Sequence, residues 1–168
     1  MRGFLVALAI TAGVVTTACG RGGSPASPGP LGVVTLEERM LNDDSGGIPD
    51  SVQIVIRDPA VLDDAWARAT SRQNPPPPVP RIDFDRHMLL LVAIGRKQPE
   101  IELRVDSVGV RRELRADGRQ RDILAVVFTV TEGCRRFNRD AYPLEIVRSR
   151  RFDGDVRFIG RRRTPDCP

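Results

Sequence analysis

The chain has 168 residues, 40% hydrophobic and 29% charged, with a formal net charge of +4. That length accommodates one domain with flanking segments, and a charge this modest does not by itself indicate a nucleic-acid partner. Of its 26 basic residues only Lys97 is a lysine, a skew that fits a GC-rich coding sequence more simply than a specialised anion site.

Residues 1–18 have the three-part layout of a secretory signal. Arg2 supplies the positive charge, residues 4–15 are an apolar run too short to span a bilayer stably, and Thr16-Thr17-Ala18 lead into Cys19. This ending resembles a bacterial lipobox, with Thr16 standing where Leu is most often found. Cys19 is the expected lipidation site, which places the protein in the bacterial cell envelope, anchored by lipid and facing the periplasm or the cell surface. Residues 19–47 are expected to be the lipidated Cys and a flexible tether, since residues 20–30 are Gly, Ser, Pro and Arg. Residues 31–36 are a short apolar patch, either an edge strand or a partner-contacting arm. Residues 37–47 are polar and end in Asp43-Asp44-Ser45-Gly46-Gly47, a loop pattern. The domain is therefore expected to cover residues 48–168.

Residues 51–57 alternate and are β-branched, a strand pattern. Asp58-Pro59 then opens a helix over 59–70, with Asp58 as N-cap and Pro59 at the first helical position. Leu62, Trp66 and Ala69 share one face at i, i+4 and i+7. Trp66, the one tryptophan, is expected to anchor this helix on a sheet. Asn74 and the four prolines 75–78 form a stiff crossover without amide donors.

Residues 88–94, Met-Leu-Leu-Leu-Val-Ala-Ile, are apolar on both alternating faces, the pattern of an interior strand covered on both sides. Ile101, Leu103 and Val105 share one face, while Val108 and Val110 are in the opposite phase, so a bulge is expected near Asp106-Ser107. Asp117-Gly118 marks a hairpin turn. Residues 123–130 read as a second interior strand, and strands are also expected at 142–147 and 156–159. One helix with six or seven strands gives an α+β, mostly antiparallel, sandwich-like domain.

Three cysteines are present, Cys19, Cys134 and Cys167. With Cys19 lipidated, an even pair remains in an oxidising compartment, and a Cys134–Cys167 disulfide is the expectation. Two buried free thiols are the alternative.

No catalytic constellation is evident. Asp83, Asp85 and His87 lie at i, i+2 and i+4 and could share a strand face, but carboxylates at the end of a proline run more often cap turns. His87 is the one histidine, no Gly-x-Ser-x-Gly occurs, and Gly-rich phosphate loops are absent. No cofactor, no metal, no nucleic acid and no small-molecule substrate is expected, and the chain is read as not an enzyme. The C-terminal third is rich in arginine: Arg135, Arg136, Arg139, Arg148, Arg150, Arg151, Arg157, Arg161, Arg162 and Arg163.

The segment Pro80-Arg81-Ile82-Asp83-Phe84, followed by an apolar strand ending at Gly95, resembles the PrcB-like family, named for a lipoprotein subunit of a cell-surface protease complex. The preceding strand and helix with Trp66, and the later Tyr142-Pro143-Leu144-Glu145-Ile146-Val147, are similar to that family as well. The likeness covers residues 52–158. It implies a non-enzymatic binding module that assists or stabilises an exported protein, a protease in the family's named example. Family members often carry Thr/Ser-Gly-Gly-Tyr after the glycine, whereas this chain has Arg96-Lys97-Gln98-Pro99-Glu100. That loop is the candidate binding site. Two other classes stand beside this one. One is a protease inhibitor of the chagasin-like type acting through the same loop, although the Thr-Thr-Gly-Tyr motif of such inhibitors is missing. The other is a polyanion- or envelope-binding module using the C-terminal arginines.

Overall fold

The structure, a computed structural model, describes residues 32–98, 100–135, 138–164 and 166–167. Eight strands and one helix follow in the order β1 (Val33–Val34), β2 (Leu36–Asp43), β3 (Ser51–Ile56), α1 (Pro59–Ala69), β4 (His87–Ile94), β5 (Ile101–Leu114), β6 (Gln120–Glu132), β7 (Leu144–Arg150) and β8 (Val156–Arg163). They form two four-stranded sheets, one ordered β1-β5-β6-β8 and the other β2-β7-β4-β3. Every pairing is antiparallel except β6 with β8. That parallel pair arises because the chain crosses to the other sheet for β7 before it returns.

The doubly apolar run of β4 explains the layering. Because successive side chains point to opposite faces, Met88, Leu90, Val92 and Ile94 face the other sheet. There they meet Leu103, Val105 and Val108 of β5 and Leu124, Val126 and Phe128 of β6. Leu89, Leu91 and Ala93 face the helix and pack with Leu62, Ala65, Trp66 and Ala69. The molecule is thus a sandwich with α1 laid on the outer face of one sheet. Asp58 caps α1 by accepting the Val61 amide at 3.0 Å. The expected bulge falls where the β5–β6 register slips between Val105 and Ser107.

The N-terminal boundary is corrected. Residues 37–47 were expected to be loop, yet Leu36–Asp43 is the edge strand β2, and sheet-forming chain begins at Val33. The strand is hidden in the sequence for two reasons. Its pairing with β7 has irregularities between Leu36 and Glu38 and between Arg39 and Leu41, which destroy the period of two. Its polar side chains are also held by ion pairs rather than apolar burial. Glu37 faces His87 at 3.1 Å, Arg150 at 3.4 Å and Arg148 at 3.5 Å, and Glu38 meets Arg148 at 3.0 Å. With β1 and β2 included, eight strands lie among the described residues where six or seven are expected, within the mostly antiparallel α+β sandwich that the sequence indicates.

Two polar ties bind the sheets together. The fully buried carboxylate of Glu145 on β7 accepts the Val105 amide of β5 and pairs with Arg39 of β2, whose guanidinium also donates to the Val105 carbonyl at 2.8 Å. Asn42 of β2 donates to the Leu103 carbonyl at 3.4 Å. Side chains thereby satisfy the part of the β5 edge that the two-residue β1 does not cover. The second tie is a hydrogen bond between the hydroxyls of Ser149 and Thr35, 2.9 Å long and buried.

Candidate functional site

The loop after Gly95 is held on several sides. Gly95 has φ +72, a left-handed conformation that favours glycine, and a Cβ there would lie 2.8 Å from the Pro49 carbonyl oxygen. The Arg96 amide donates to that same carbonyl at 2.9 Å, and Lys97 exchanges two backbone hydrogen bonds with Ala141, each 2.8 Å. The exposed Arg96 guanidinium pairs with Asp140 at 2.9 Å, and the hydrogen bond and charge of Asp140 hold it above its usual range. Glu100 has φ +68 and accepts the Arg135 amide at 3.0 Å, while its own carbonyl accepts the Gly133 amide at 2.7 Å. Gln98 is exposed, and Pro99 lies outside the described residues. Of the five candidate residues, Arg96 and Glu100 are therefore spent on holding the loop.

Lys97 is placed differently. Its side chain has no ion pair among the described residues, and it borders a groove of about 290 Å³ between the free edges of β3 and β8. The floor is apolar: Ile94 from β4 and Phe128 and Val130 from β6. Ser51 and Gln53 of β3 form one wall, and Gly160, Arg161 and Arg162 of β8 form the other. Gly160 is required by a close approach, because a Cβ there would stand 2.8 Å from the Phe128 ring. Arg57 closes the lateral opening farther along β3 by donating to the carbonyls of Phe152 at 3.0 Å and Gly154 at 3.2 Å. Arg161 has no ion pair among the described residues, whereas exposed Arg162 meets Glu132 at 3.4 Å. The groove thus combines an apolar floor, two unpaired strand edges and two uncommitted cations.

Sequence reasoning pointed to Lys97 and to the C-terminal arginines but did not bring them together. Only the parallel return of β8 beside β6 does that. Ser51, Gln53 and Phe128 were missed as groove residues. The polar side chains of Ser51 and Gln53 on an inward-facing register were the available sign, since they mark where the sandwich stays open.

The other candidates are dispersed or committed. Asp83 accepts the Asp85 amide at 3.1 Å, and its carbonyl accepts the His87 amide at 2.9 Å, a turn that precedes β4. His87 points instead to Glu37. No group of three or more His, Cys, Asp or Glu that could hold a metal ion occurs among the described residues. A second depression, of about 340 Å³, lies between Asn42–Asp44 and Glu100–Leu103 on the opposite side of the sandwich. Its acids are partly spent. Asp43 accepts the Ser45 hydroxyl and amide, each at 2.7 Å, and a hydrogen bond from Gln73; burial acts to raise its carboxyl, but these bonds outweigh it and hold the group below the usual range. The arginine-rich third does not form one patch. Arg148 and Arg150 pair with β2, Arg151 with Asp153, and Arg157 with Glu113. Arg136 lies outside the described residues. Trp66 is core, with its indole N–H donating to the Pro77 carbonyl at 3.0 Å.

Cys134 and Cys167 are joined by a disulfide across a separation of 33 residues, beyond the ends of β6 and β8. Closing a loop of this length contributes roughly 4 kcal/mol in the chain-entropy picture. Reduction is expected to lower the melting temperature by roughly 10 °C, measured by circular dichroism with and without reductant. Unchanged melting would show that the bridge does not constrain the unfolded chain.

No family model, no curated protein and no solved structure matches this chain. Among the described residues no helix is long and apolar enough to cross a membrane.

Proposed function

We propose that this chain is a non-enzymatic protein-binding module of the bacterial cell envelope, anchored through lipid on Cys19, and that it captures an extended acidic segment of an exported protein in the groove between β3 and β8. The observation that carries this reading is the combination at that groove. Unpaired strand edges offer backbone hydrogen bonds to an added strand, and the floor of Ile94, Phe128 and Val130 accepts alternate apolar side chains. Lys97 and Arg161 supply cations that no carboxylate of the described chain neutralises, so carboxylates on the partner complement them. The lipobox-like sequence before Cys19 supports the anchor. The PrcB-like resemblance supports a protease as the exported partner. A small-molecule enzyme finds little support, because Asp83 is spent on the turn before β4 and His87 turns to Glu37.

The test is site-specific crosslinking in the envelope. A photoreactive side chain at Gln53 is expected to capture one discrete exported protein, and the charge reversals Lys97→Glu and Arg161→Glu are expected to reduce that capture about tenfold. The same yield from a probe at Val61, on the exposed side of the helix, would contradict the assignment.

A further inference from the structure

We propose that the tip of the β5–β6 hairpin is a second membrane contact, which seats on anionic lipid headgroups and turns the groove away from the bilayer. The inference rests on the lipidated Cys19 of the preceding section for its geometry, and the hairpin supplies its own chemistry.

The first observation is where the chain joins the fold. Val33 pairs with Val110 and Val34 with Gly109, antiparallel, and the Gly32 amide donates to the Val110 carbonyl at 2.9 Å. Followed backwards, the chain therefore leaves sheet β1-β5-β6-β8 heading toward the hairpin. Cys19 precedes Gly32 by 13 residues, which reach at most about 45 Å when fully extended. A lipid on Cys19 holds that end of the domain within this distance of the bilayer.

The second observation is what the tip carries. Leu114 is 68% exposed, the most exposed large hydrophobic residue among those described. Between Arg111 and Asp122 lie five arginines and three carboxylates. Two of the carboxylates are paired with arginines and the third serves the turn. Glu113 is ringed by Arg111, Arg121 and Arg157, Asp122 meets Arg112 at 3.4 Å, and Asp117 accepts the Arg119 amide at 2.9 Å to shape the turn. Arg115 and Arg119 on either side of the turn have no ion pair among the described residues. A shallow depression of about 540 Å³ at the tip is lined by Leu114 and Ala116, by Arg115, Arg121 and Arg157, and by Glu113 and Asp117, so three guanidinium groups face two carboxylates there. An exposed apolar side chain flanked by uncommitted arginines matches the boundary between headgroups and acyl chains, where arginine stems and leucine are both accommodated.

The third observation is polarity along the strands. Ile101 and Leu114 are the two ends of β5, about 43 Å apart at the usual rise per residue. Lys97, the groove and the Cys134–Cys167 bridge lie at the Ile101 end. With the tip on the membrane, the groove stands well beyond the Debye length of about 10 Å at 0.1 M salt, outside the anionic surface field that competes for Lys97 and Arg161.

The test uses the full chain with an environment-sensitive fluorophore on Ala116→Cys or, at the far pole, on Gln98→Cys. The chain is mixed with phosphatidylcholine vesicles with and without phosphatidylglycerol. Flotation with phosphatidylcholine vesicles, compared between the wild-type chain and Cys19→Ser, reads the anchor alone. The fluorophore reads the hairpin. At position 116 it is expected to shift to the blue on phosphatidylglycerol vesicles, with the shift declining as salt rises. At position 98 it is expected to report water throughout. Arg115→Glu with Arg119→Glu is expected to weaken the shift at 116 about tenfold while flotation persists. A chain that floats while position 116 reports water as fully as position 98 overturns the hairpin contact. A chain that fails to float on phosphatidylcholine overturns the anchor instead, and the shift at 116 on phosphatidylglycerol still decides the hairpin.

Discussion

Replacing Trp66 by alanine is expected to destabilise the protein by about 4 kcal/mol, the middle of the range for truncating a buried aromatic residue. The side chain is nearly fully buried between α1 and the sheet face formed by Leu89, Leu91 and Ile146. Little around it can collapse into the space, because the sheet beneath is hydrogen-bonded on both sides of β4. The indole N–H also holds the proline run through the Pro77 carbonyl, so the substitution releases the connection from α1 to β4 as well. Trp66→Phe retains most of the volume and loses the hydrogen bond, which is expected to cost about 1 to 2 kcal/mol. Urea unfolding followed by circular dichroism distinguishes the two. Equal losses in both variants would assign the whole effect to the hydrogen bond and contradict a packing role.

Glu145→Ala is the second large effect, with an expected loss of about 3 kcal/mol. The carboxylate sits between the sheets, bonded to the Val105 amide and paired with Arg39. Truncation leaves the buried Val105 amide without its acceptor and the Arg39 guanidinium facing the space the carboxylate vacated. Arg39 is about one-third exposed, so water recovers part of its solvation and the loss falls at the lower end for a broken buried pair. Glu145→Gln keeps an acceptor for Val105 and is expected to lose about half as much. If Glu145→Ala unfolds at the same urea concentration as the wild-type chain, the carboxylate does not tie the sheets together.

These two residues also show what was readable from sequence. Trp66 stood on an apolar helical face behind an Asp-Pro start, and β4 was apolar on both faces, so the sandwich and its helix followed from periodicity. Glu145 gave no such sign. It lies in a strand pattern as one polar residue among apolar ones, indistinguishable from a solvent-facing position until β5 and β2 are brought beside it. The strand β2 was illegible for a related reason: its irregular register and its ion pairs to Arg148, Arg150 and His87 replace the alternation that marks a half-buried strand. The groove was half legible. Lys97 was found from its loop and Arg161 from its charge, but their proximity depends on a parallel β6–β8 pairing between segments separated by an excursion into the other sheet. Local patterns do not encode that return.

In the proposed arrangement the hairpin tip faces lipid and the groove faces the partner. The proposed groove is tested by titrating the full chain against two labelled peptides of alternating apolar and charged residues, one carrying glutamates and the other lysines, followed by fluorescence anisotropy. Saturable binding of the glutamate peptide is expected, weakened by salt and reduced about tenfold by Lys97→Glu with Arg161→Glu at unchanged melting temperature. Equal affinity for both peptides, or affinity that survives the double charge reversal, would contradict it.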